Sequence, residues 1–210
     1  MARTPVLPVV PLRRGSRRRH RPDNPGASPR LRVVIVAESF LPAVNGVTNS
    51  VVRIVEELTR AGHECVVIAP GPGSDRLGVT RVIRVRAFDL PRYGDLRIGL
   101  PTARMTALLR KLDPDVVHLA APAVLGAAAA ISARRLGIPS VAIYQTDLAG
   151  FAGRHRLGIA RGAIWRWVSW VHRQADLTLA PSTAAMWTLR RHGISDVARW
   201  ARGVDLARFS

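Results

Sequence analysis

The stretch Ala37-Glu38-Ser39-Phe40-Leu41-Pro42-Ala43-Val44-Asn45-Gly46-Val47-Thr48-Asn49-Ser50 decides how this chain is built. It follows an apolar segment, residues 31–36, that is rich in the β-branched residues of a buried strand. It leads into a segment whose apolar residues recur at helical spacing: Val47, Val51, Ile54 and Leu58. The first N–H groups of a helix lack partners, and the helix dipole adds positive charge there. The stretch therefore predicts a site for an anion, such as a ligand phosphate.

Strand and helix patterns alternate along the rest of the chain. We predict strands near residues 31–37, 64–69, 80–87, 115–119, 140–145, 176–180 and 196–201. We predict helices near residues 47–61, 101–112, 122–136, 159–175 and 182–192. Runs that are apolar on both faces, such as Val33-Val34-Ile35-Val36, are typical of parallel strands covered by helices. The pattern predicts an α/β fold, a doubly wound, mostly parallel, Rossmann-like sheet.

The charge of the chain is large but uneven. The formal net charge is +18, and Lys111 is the only lysine, a bias that a GC-rich genome also produces. Residues 1–30 hold eight arginines and one acid, with many Pro, Gly and Ser residues, and are predicted to be a disordered tail. The remaining arginines are scattered, and no nucleic-acid-binding motif accompanies them. Among the possible partners we therefore rank nucleic acid last.

Other features bound the class of protein. Cys65 is the only cysteine, so an intrachain disulfide is excluded, and we expect a buried thiol in a reducing cytoplasm. The longest apolar run, residues 119–133, is shorter than a membrane span and contains Pro122 and Gly126. The histidines other than His118 lack metal-ligand spacing and are interpreted as surface or tail residues: His20, His63, His155, His172 and His192.

Ligands of open α/β sheets bind beyond the carboxyl ends of the strands. Six predicted strand ends carry polar or glycine-rich groups: residues 38–46, the loop 88–100, His118, Gln145-Thr146-Asp147, Pro181-Ser182 and Arg202-Gly203-Val204-Asp205. Each also has a structural explanation. Asn45-Gly46 could be only a turn, His118 could be a satisfied core histidine, Asp147 could cap a loop, and Ser182 is most simply an N-cap. Pro101 and Pro122 are expected in first helical turns, and Gly62 at a helix end.

Two further motifs need weighing. Asp113-Pro114-Asp115 spells the D-x-D that holds a metal in some transferases, but it precedes a strand at the wrong sheet edge and is interpreted as a turn. The segment 161–173 carries three tryptophans among basic residues. Ile164, Trp167, Val168 and Val171 would face the core, with Trp165 and Trp170 off that stripe. A membrane interface and ordinary helix packing are both open explanations for these tryptophans.

The combination of several short motifs resembles the amino-terminal half of family 4 glycosyltransferases of the GT-B fold. The loop and helix of residues 38–50 carry the resemblance, together with Gly62-His63-Glu64, Pro114-Asp115-Val116-Val117-His118, Tyr144-Gln145-Thr146-Asp147, Ala180-Pro181-Ser182 and Arg202-Gly203-Val204-Asp205. The resemblance covers residues 31–210. Within the family, the sequence is most similar to actinobacterial GDP-mannose-dependent α-mannosyltransferases that act on lipid acceptors.

The resemblance implies roles for individual residues. Gly46 matches the glycine that admits the donor diphosphate, so Asn45, Gly46, Val47 and Arg202 are expected to bind the donor. Many relatives have Gly-Gly where this chain has Asn45-Gly46. Gln145 stands where many relatives have a histidine near the transferred sugar, and it is assigned with Asp147 to the catalytic group. Tyr93, in the loop 88–100, and His118 are assigned to the acceptor.

The resemblance also implies the chemistry and its setting. Family members retain the anomeric configuration of the sugar and need no metal. No cofactor is expected either, since the nucleotide sugar is a substrate. We expect mannosyl transfer from GDP-mannose to a lipid or glycolipid. We expect a cytoplasmic protein, with peripheral contact to anionic lipid at the inner membrane face.

The groups that neutralise the leaving diphosphate belong to a carboxy-terminal donor domain, which residues 1–210 do not include. The 210-residue chain is therefore expected to fold but to be inactive alone. The alternative is a non-catalytic Rossmann-like protein that binds a small ligand at the same edge.

Overall fold

The computed structural model describes residues 29–89, 97–99, 104–145 and 158–200. The predicted tail of residues 1–30 lies almost wholly outside these ranges, as do Pro101, Thr146, Asp147, Tyr93, His155 and residues 201–210.

The described residues form a parallel α/β sheet, as predicted. The strands are β1 (Arg32–Ala37), β2 (Glu64–Pro70), β3 (Arg76–Leu77), β4 (Thr80–Val85), β5 (Ala87–Asp89), β6 (Arg97–Gly99), β7 (Val116–Ala120), β8 (Ser140–Ile143), β9 (Leu177–Ala180) and β10 (Val197–Arg199). The main sheet has eight strands in the order β10-β9-β8-β7-β1-β2-β4-β3. Only the β3–β4 pairing within it is antiparallel. The carboxyl ends of the parallel strands therefore share one edge of the sheet.

Five helices lie within the described residues: α1 (Gly46–Arg60), α2 (Met105–Leu112), α3 (Leu125–Leu136), α4 (Gly158–His172) and α5 (Thr183–Arg191). None of these helices is long and apolar enough to cross a membrane. Asn45 and Ser182 cap α1 and α5 with their side chains, which confirms Ser182 as an N-cap. Gly62 follows α1 at a φ of +86°, a conformation that favours glycine, which confirms that it ends this helix.

The two faces of the sheet are covered by different helices. One face packs Val34, Val36 and neighbouring strand residues against α2 and α3. The same face continues onto β9 and β10, where Thr178 pairs with both Ala142 and Val197, and there it packs against α4 and α5. The opposite face packs Val33, Ile35 and Cys65 against α1. The strands at the centre are buried on both sides, which explains their continuous apolar runs.

The structure changes several predicted boundaries. The segment predicted as one strand over 80–87 is divided into β4 and β5, and β5 pairs antiparallel with β6 inside the segment predicted as a loop, 88–100. Pro122 lies three residues before α3 rather than in its first turn. The prediction that a strand ends at His118 is wrong by two residues, because β7 continues to Ala120.

The D-x-D segment is a turn, as interpreted. Asp113 is the C-cap of α2, with a left-handed φ of 45°. The Asp115 carboxylate accepts a hydrogen bond from the Arg32 backbone N–H at 2.7 Å and so ties the start of β7 to the start of β1. Both acids therefore have structural roles at the amino ends of the strands. Cys65 is buried in β2, as predicted.

The interpretation of the tryptophan helix is wrong in one respect. Trp165, placed off the core stripe by the sequence, is buried and stacks on His192, the C-cap of α5, with the ring centroids 3.9 Å apart. Trp167, placed on the stripe, is exposed. The buried apolar positions of α4 are therefore Trp165, Val168 and Val171, and Trp165 and Val168 belong to the same core cluster as Leu189 of α5.

His172 is also misassigned by the sequence, which places it at the surface. Its side chain is buried at the end of α4, where Nδ1 lies 3.1 Å from the Thr178 hydroxyl and the ring meets Tyr144 edge-on. Burial lowers the pKa of His172 to about 4. The imidazole is therefore neutral in the folded protein at neutral pH.

This burial predicts acid sensitivity. The unfolded chain takes up a proton on His172 near pH 6.5 and the folded chain only near pH 4, so the free energy of unfolding should fall as the pH drops through this window. The contribution of this one group is roughly 3 kcal/mol. Urea unfolding at several pH values should show a shallower fall for His172→Gln than for the unmodified chain. His20→Gln, in the amino-terminal segment, is the control. A fall with pH that is equally steep in His172→Gln and in the unmodified chain would contradict the prediction.

Candidate functional site

A cleft of about 430 Å³ opens at the carboxyl edge of the sheet, where the loops after β1 and β2 meet. Its lining comes from these two loops: Glu38, Ser39, Phe40, Pro42, Ala43, Val44, Pro70, Gly71 and Pro72. Open α/β sheets bind ligands at this edge, next to the point where the strand order reverses. The loop singled out by the sequence therefore forms one wall of a cleft at the expected position.

Asn45 shapes the start of α1 beside the cleft. Its Oδ1 atom accepts hydrogen bonds from the backbone N–H groups of Val47 and Thr48, both at 3.0 Å, and its Nδ2 atom donates to the Ser39 hydroxyl at 2.7 Å. The Thr48 hydroxyl donates to the Ala43 carbonyl at 2.8 Å. The cap is neutral, and the first turn of α1 contains no acid. The positive end of this helix dipole therefore faces the cleft edge without a fixed negative charge.

Gly46 is not required by the fold. It has no positive φ, and a Cβ atom built on it would meet no atom within 4 Å. Since glycine at the start of a helix costs conformational entropy, a residue with a side chain would suit the described fold at least as well. The glycine instead leaves the backbone open to close approach from outside the domain.

Glu38 occupies the neighbouring helix terminus. The residue follows β1, and its carboxylate accepts backbone hydrogen bonds from Ala123, Val124, Leu125 and Gly126 at distances from 2.7 to 3.2 Å. These N–H groups form the entry to α3, where the helix dipole favours an anion. The protein thus places its own carboxylate at α3 and leaves α1 with a neutral cap. Of these two adjacent termini, the start of α1 is the one open to an anionic ligand.

The environment of Glu38 combines two opposing effects. Burial, the larger effect, raises the pKa of the Glu38 carboxyl above its ordinary value, and the four backbone N–H donors oppose this shift without reversing it. Gly126 is required by this arrangement, since a Cβ atom there would lie 2.6 Å from the Pro122 Cβ atom and 3.3 Å from the Glu38 Oε1 atom. The contact therefore fixes the end of β1 and the start of α3 in one geometry.

Arg84 joins the two loops that line the cleft. From β4, its guanidinium donates to the carbonyls of Leu41 at 2.8 Å, Pro70 at 3.0 Å and Ser74 at 2.9 Å. It also lies over the Phe40 ring, 5.6 Å from the centroid. Burial lowers the pKa of Arg84 from its ordinary value. One cation thus sets the spacing of both loops by satisfying three carbonyl groups.

Gly73 makes the approach of Arg84 possible. Its φ is +150°, and a Cβ atom there would lie 2.4 Å from the Arg84 Nη2 atom and 2.7 Å from the Leu41 carbonyl oxygen. The oxygen belongs to the backbone and has little freedom to move. The glycine is therefore needed for the loops to close on each other.

His118 lies inside the sheet rather than at its edge. It is the third residue of β7, in register with Ile35 of β1 and Val141 of β8. Its Nε2 atom is buried and has no hydrogen-bond partner among the described residues. Burial lowers the pKa of His118 to about 4, so the ring is neutral at neutral pH. Its assignment to an acceptor stays a prediction.

The other assigned residues divide into two groups. Asn45, Gly46 and Val47 lie together at the start of α1, and Gln145 follows β8 at the same edge of the sheet. Asp147, Tyr93 and Arg202 lie outside the described residues, so their placement stays a prediction.

Sequence reasoning missed two residues that organise the cleft. Glu38 was noted only as part of the loop, because nothing local indicates that its carboxylate meets residues more than eighty positions away. Arg84 looked like one of many scattered arginines. The available signals were an acid directly after a buried strand and an arginine within an apolar strand, both next to glycine-rich loops.

Removal of the Glu38 carboxylate should destabilise the domain. Glu38→Ala leaves the N–H groups at the start of α3 without their acceptor, and should lower the free energy of unfolding by about 2–4 kcal/mol. Glu38→Gln keeps one acceptor oxygen and should lose less. Glu64→Ala, which removes a half-exposed partner of Arg32, is the control and should cost less than about 1 kcal/mol. Equal losses in Glu38→Ala and Glu64→Ala by urea unfolding would contradict the prediction.

Gly73 and Gly46 should differ in how well they tolerate substitution by alanine. Gly73→Ala forces a side chain against the Leu41 carbonyl and should cost about 1–3 kcal/mol in the free energy of unfolding. Gly46→Ala enters open space at a helix start and should leave stability unchanged or slightly raised. Thermal and urea unfolding of both variants make the comparison. A Gly73→Ala variant as stable as Gly46→Ala would show that the loops do not need this contact.

The chain is similar in sequence to several proteins that are named as mannosyltransferases. The chain is 54% identical over 187 residues to a GDP-mannose-dependent alpha-mannosyltransferase of Mycobacterium tuberculosis, covering 86% of this chain and 49% of that protein. It is 50% identical over 184 residues to the protein of the same name from Corynebacterium glutamicum, covering 85% and 45%. At 28% identity it matches a GDP-mannose-dependent alpha-(1-6)-phosphatidylinositol dimannoside mannosyltransferase of M. tuberculosis, covering 85% and 48%. The chain spans about half the length of these relatives.

Solved structures share the fold. A glycosyltransferase from Rickettsia africae aligns with a TM-score of 0.53 at 13% identity, covering 86% of this chain and 45% of that one. MurG from Acinetobacter baumannii aligns with a TM-score of 0.54 at 14% identity, covering 84% and 46%. The model of Glycosyltransferase Family 4 matches residues 44–208. The chain belongs to glycosyltransferase family 4.

Proposed function

We propose that this domain forms one half of a retaining α-mannosyltransferase that moves mannose from GDP-mannose to a lipid or glycolipid acceptor. The observation that carries the proposal is the identity of 50% or more, over most of the chain, to proteins named GDP-mannose-dependent alpha-mannosyltransferases. Because the chain spans about half the length of these relatives, the 210 residues alone are expected to be inactive. Activity belongs to a protein that supplies both halves of the cleft.

The geometry at α1 supports a place for the donor diphosphate. Gly46 has open space where other residues would carry a side chain, and the first turn of α1 has a neutral cap. A diphosphate approaching here would gain the helix dipole and would share or replace the Asn45 side chain as acceptor for Val47 and Thr48. The Glu38 carboxyl oxygens already accept the N–H groups at the start of α3, so of the two termini the start of α1 is the one that can accept an anion.

The transfer breaks the bond between the mannose anomeric carbon and the diphosphate oxygen, and forms a bond from that carbon to an acceptor hydroxyl. The hydroxyl proton passes to the leaving GDP. Stabilisation of the negative charge that develops on the diphosphate lowers the barrier. Within this half, Gly46, Val47 and Arg202 are proposed to hold the donor, Gln145 and Asp147 the sugar hydroxyls, and Tyr93 and His118 the acceptor.

A lipid acceptor is supported by one relative whose name includes phosphatidylinositol dimannoside. Since a lipid acceptor is held in a bilayer, the enzyme is proposed to work at the inner face of the cell membrane as a peripheral protein. The test is sugar transfer by the gene product that contains this chain. Purified protein with radiolabelled GDP-mannose and lipid extract should give mannosylated lipid, and UDP-glucose or GDP-glucose should give at least about tenfold less product.

Substitution of Gly46 tests the assigned donor site. In the same gene product, Gly46→Val should raise the KM for GDP-mannose or lower kcat by about tenfold or more, because the β-branched side chain occupies the approach to the first turn of α1. Thermal unfolding should change little, since a Cβ atom at this position has no neighbouring atom within 4 Å in the described fold. Val79→Ala, at an apolar residue that is 80% exposed and does not line the cleft, is the control. Unchanged KM and kcat in Gly46→Val would count against the donor site.

A further inference from the structure

The helices on the two faces of the sheet differ in charge. The four helices α2, α3, α4 and α5 share one face, and they contain no aspartate or glutamate. Each contributes two arginine or lysine residues, eight in all: Arg110, Lys111, Arg134, Arg135, Arg161, Arg166, Arg190 and Arg191. Among the described helices, α1 alone covers the other face, and its two arginines are balanced by Glu56 and Glu57. The net positive charge of the described helices therefore lies on one face of the sheet.

Exposed tryptophans lie on the same cationic face. Trp167 and Trp170 of α4 are 44% and 38% exposed, and their rings stack at 5.0 Å. Arg166 and Arg173 flank them and are also exposed. On the neighbouring helix, Trp187 is 59% exposed, with the Arg190 guanidinium 5.9 Å from its ring. We call this set of six side chains the tryptophan–arginine surface.

Trp167, at one end of the tryptophan–arginine surface, is held next to the carboxyl edge of the sheet. The Trp167 indole N–H donates to the Ala123 carbonyl at 3.0 Å. Ala123 in turn donates its N–H to the Glu38 carboxylate, which lines the cleft. At the other end of α4, Gln174 donates to the Trp170 carbonyl and accepts from Arg134 of α3. The exposed rings are thus fixed to the scaffold that forms the cleft.

We propose that the tryptophan–arginine surface docks the domain on an anionic lipid bilayer, with the cleft edge beside the membrane. Indole rings are favoured at the depth of the lipid headgroups, and arginines are attracted to anionic headgroups. A helix face that combines both, without acids, is complementary to such a surface in polarity and charge. This inference rests on the proposed function for its purpose, because a lipid acceptor would reach the cleft from the same membrane.

Vesicle binding with charge variants tests the orientation. The chain is mixed with vesicles of phosphatidylglycerol and phosphatidylcholine in equal parts, without donor or sugar acceptor, and sedimented. Arg166→Gln with Arg173→Gln should lower the partition coefficient about tenfold or more. Arg53→Gln with Arg60→Gln removes the same net charge from α1 on the opposite face and should change it less than about twofold. Binding should weaken at high salt and be lost on pure phosphatidylcholine vesicles. Equal losses in the two pairs would overturn the proposal.

Removal of the rings tests their insertion. Trp167→Ala with Trp170→Ala should lower the partition coefficient about tenfold, while Phe88→Ala, at an aromatic residue 45% exposed outside the surface, should not. Trp170→Ser alone keeps the Trp167 hydrogen bond and should still weaken binding if the double variant misfolds. Vesicle binding unaffected by these changes overturns the proposal. So does self-association, measured by sedimentation equilibrium, that is lost in the same variants while vesicle binding persists. Sugar transfer is measured separately, so failure of the proposed function leaves the vesicle result interpretable.

Discussion

The carboxylate of Glu38 sets the arrangement on which the cleft depends. It follows the central strand β1 and accepts four backbone N–H groups at the start of α3. One buried anion thus satisfies the helix terminus and fixes the loop that continues to α1. Because the Glu38 carboxyl group already occupies the start of α3, of these two adjacent helix termini only the start of α1, at Gly46, is without a carboxyl group. The preference for an anionic ligand at α1 follows from a contact made elsewhere.

Arg84 fixes the backbone of the loop after β2, which forms the other wall of the cleft, as Glu38 fixes the backbone at the end of β1. Its guanidinium satisfies carbonyls from the loops after β1 and β2, and Gly73 provides the space for it. The cleft is therefore held by two charged groups that the domain itself supplies, one anion and one cation. Neither was assigned a role in contacting a ligand. They position the backbone that would do so, since a phosphate site built from N–H groups depends on where the main chain lies.

The distribution of charge gives the domain an orientation. Composition alone, with a net charge of +18, is compatible with nucleic acid, membrane or a coding bias. The fold adds an asymmetry that composition does not contain, because the acids of the described helices all lie on α1 and none on the helices of the opposite face. Three exposed tryptophans share that opposite face. The same helix that supplies two of them contacts the entry to α3, so the charged surface and the cleft are parts of one rigid arrangement.

The sequence by itself determined the parallel α/β fold, the buried β1, the start of α1 to within one residue, and the turn at Asp113-Pro114-Asp115. These features depend on local apolar spacing and on capping, which neighbouring residues carry. Only the tertiary structure decided that Glu38 meets α3, that Arg84 joins two loops, that Trp165 rather than Trp167 is buried, and that His118 lies within β7. Each of these depends on groups distant in the chain or on the rotation of a helix against its neighbours. The spacing of apolar residues along the chain contains no information on either, because it does not show which distant side chains the packing of the sheet brings together.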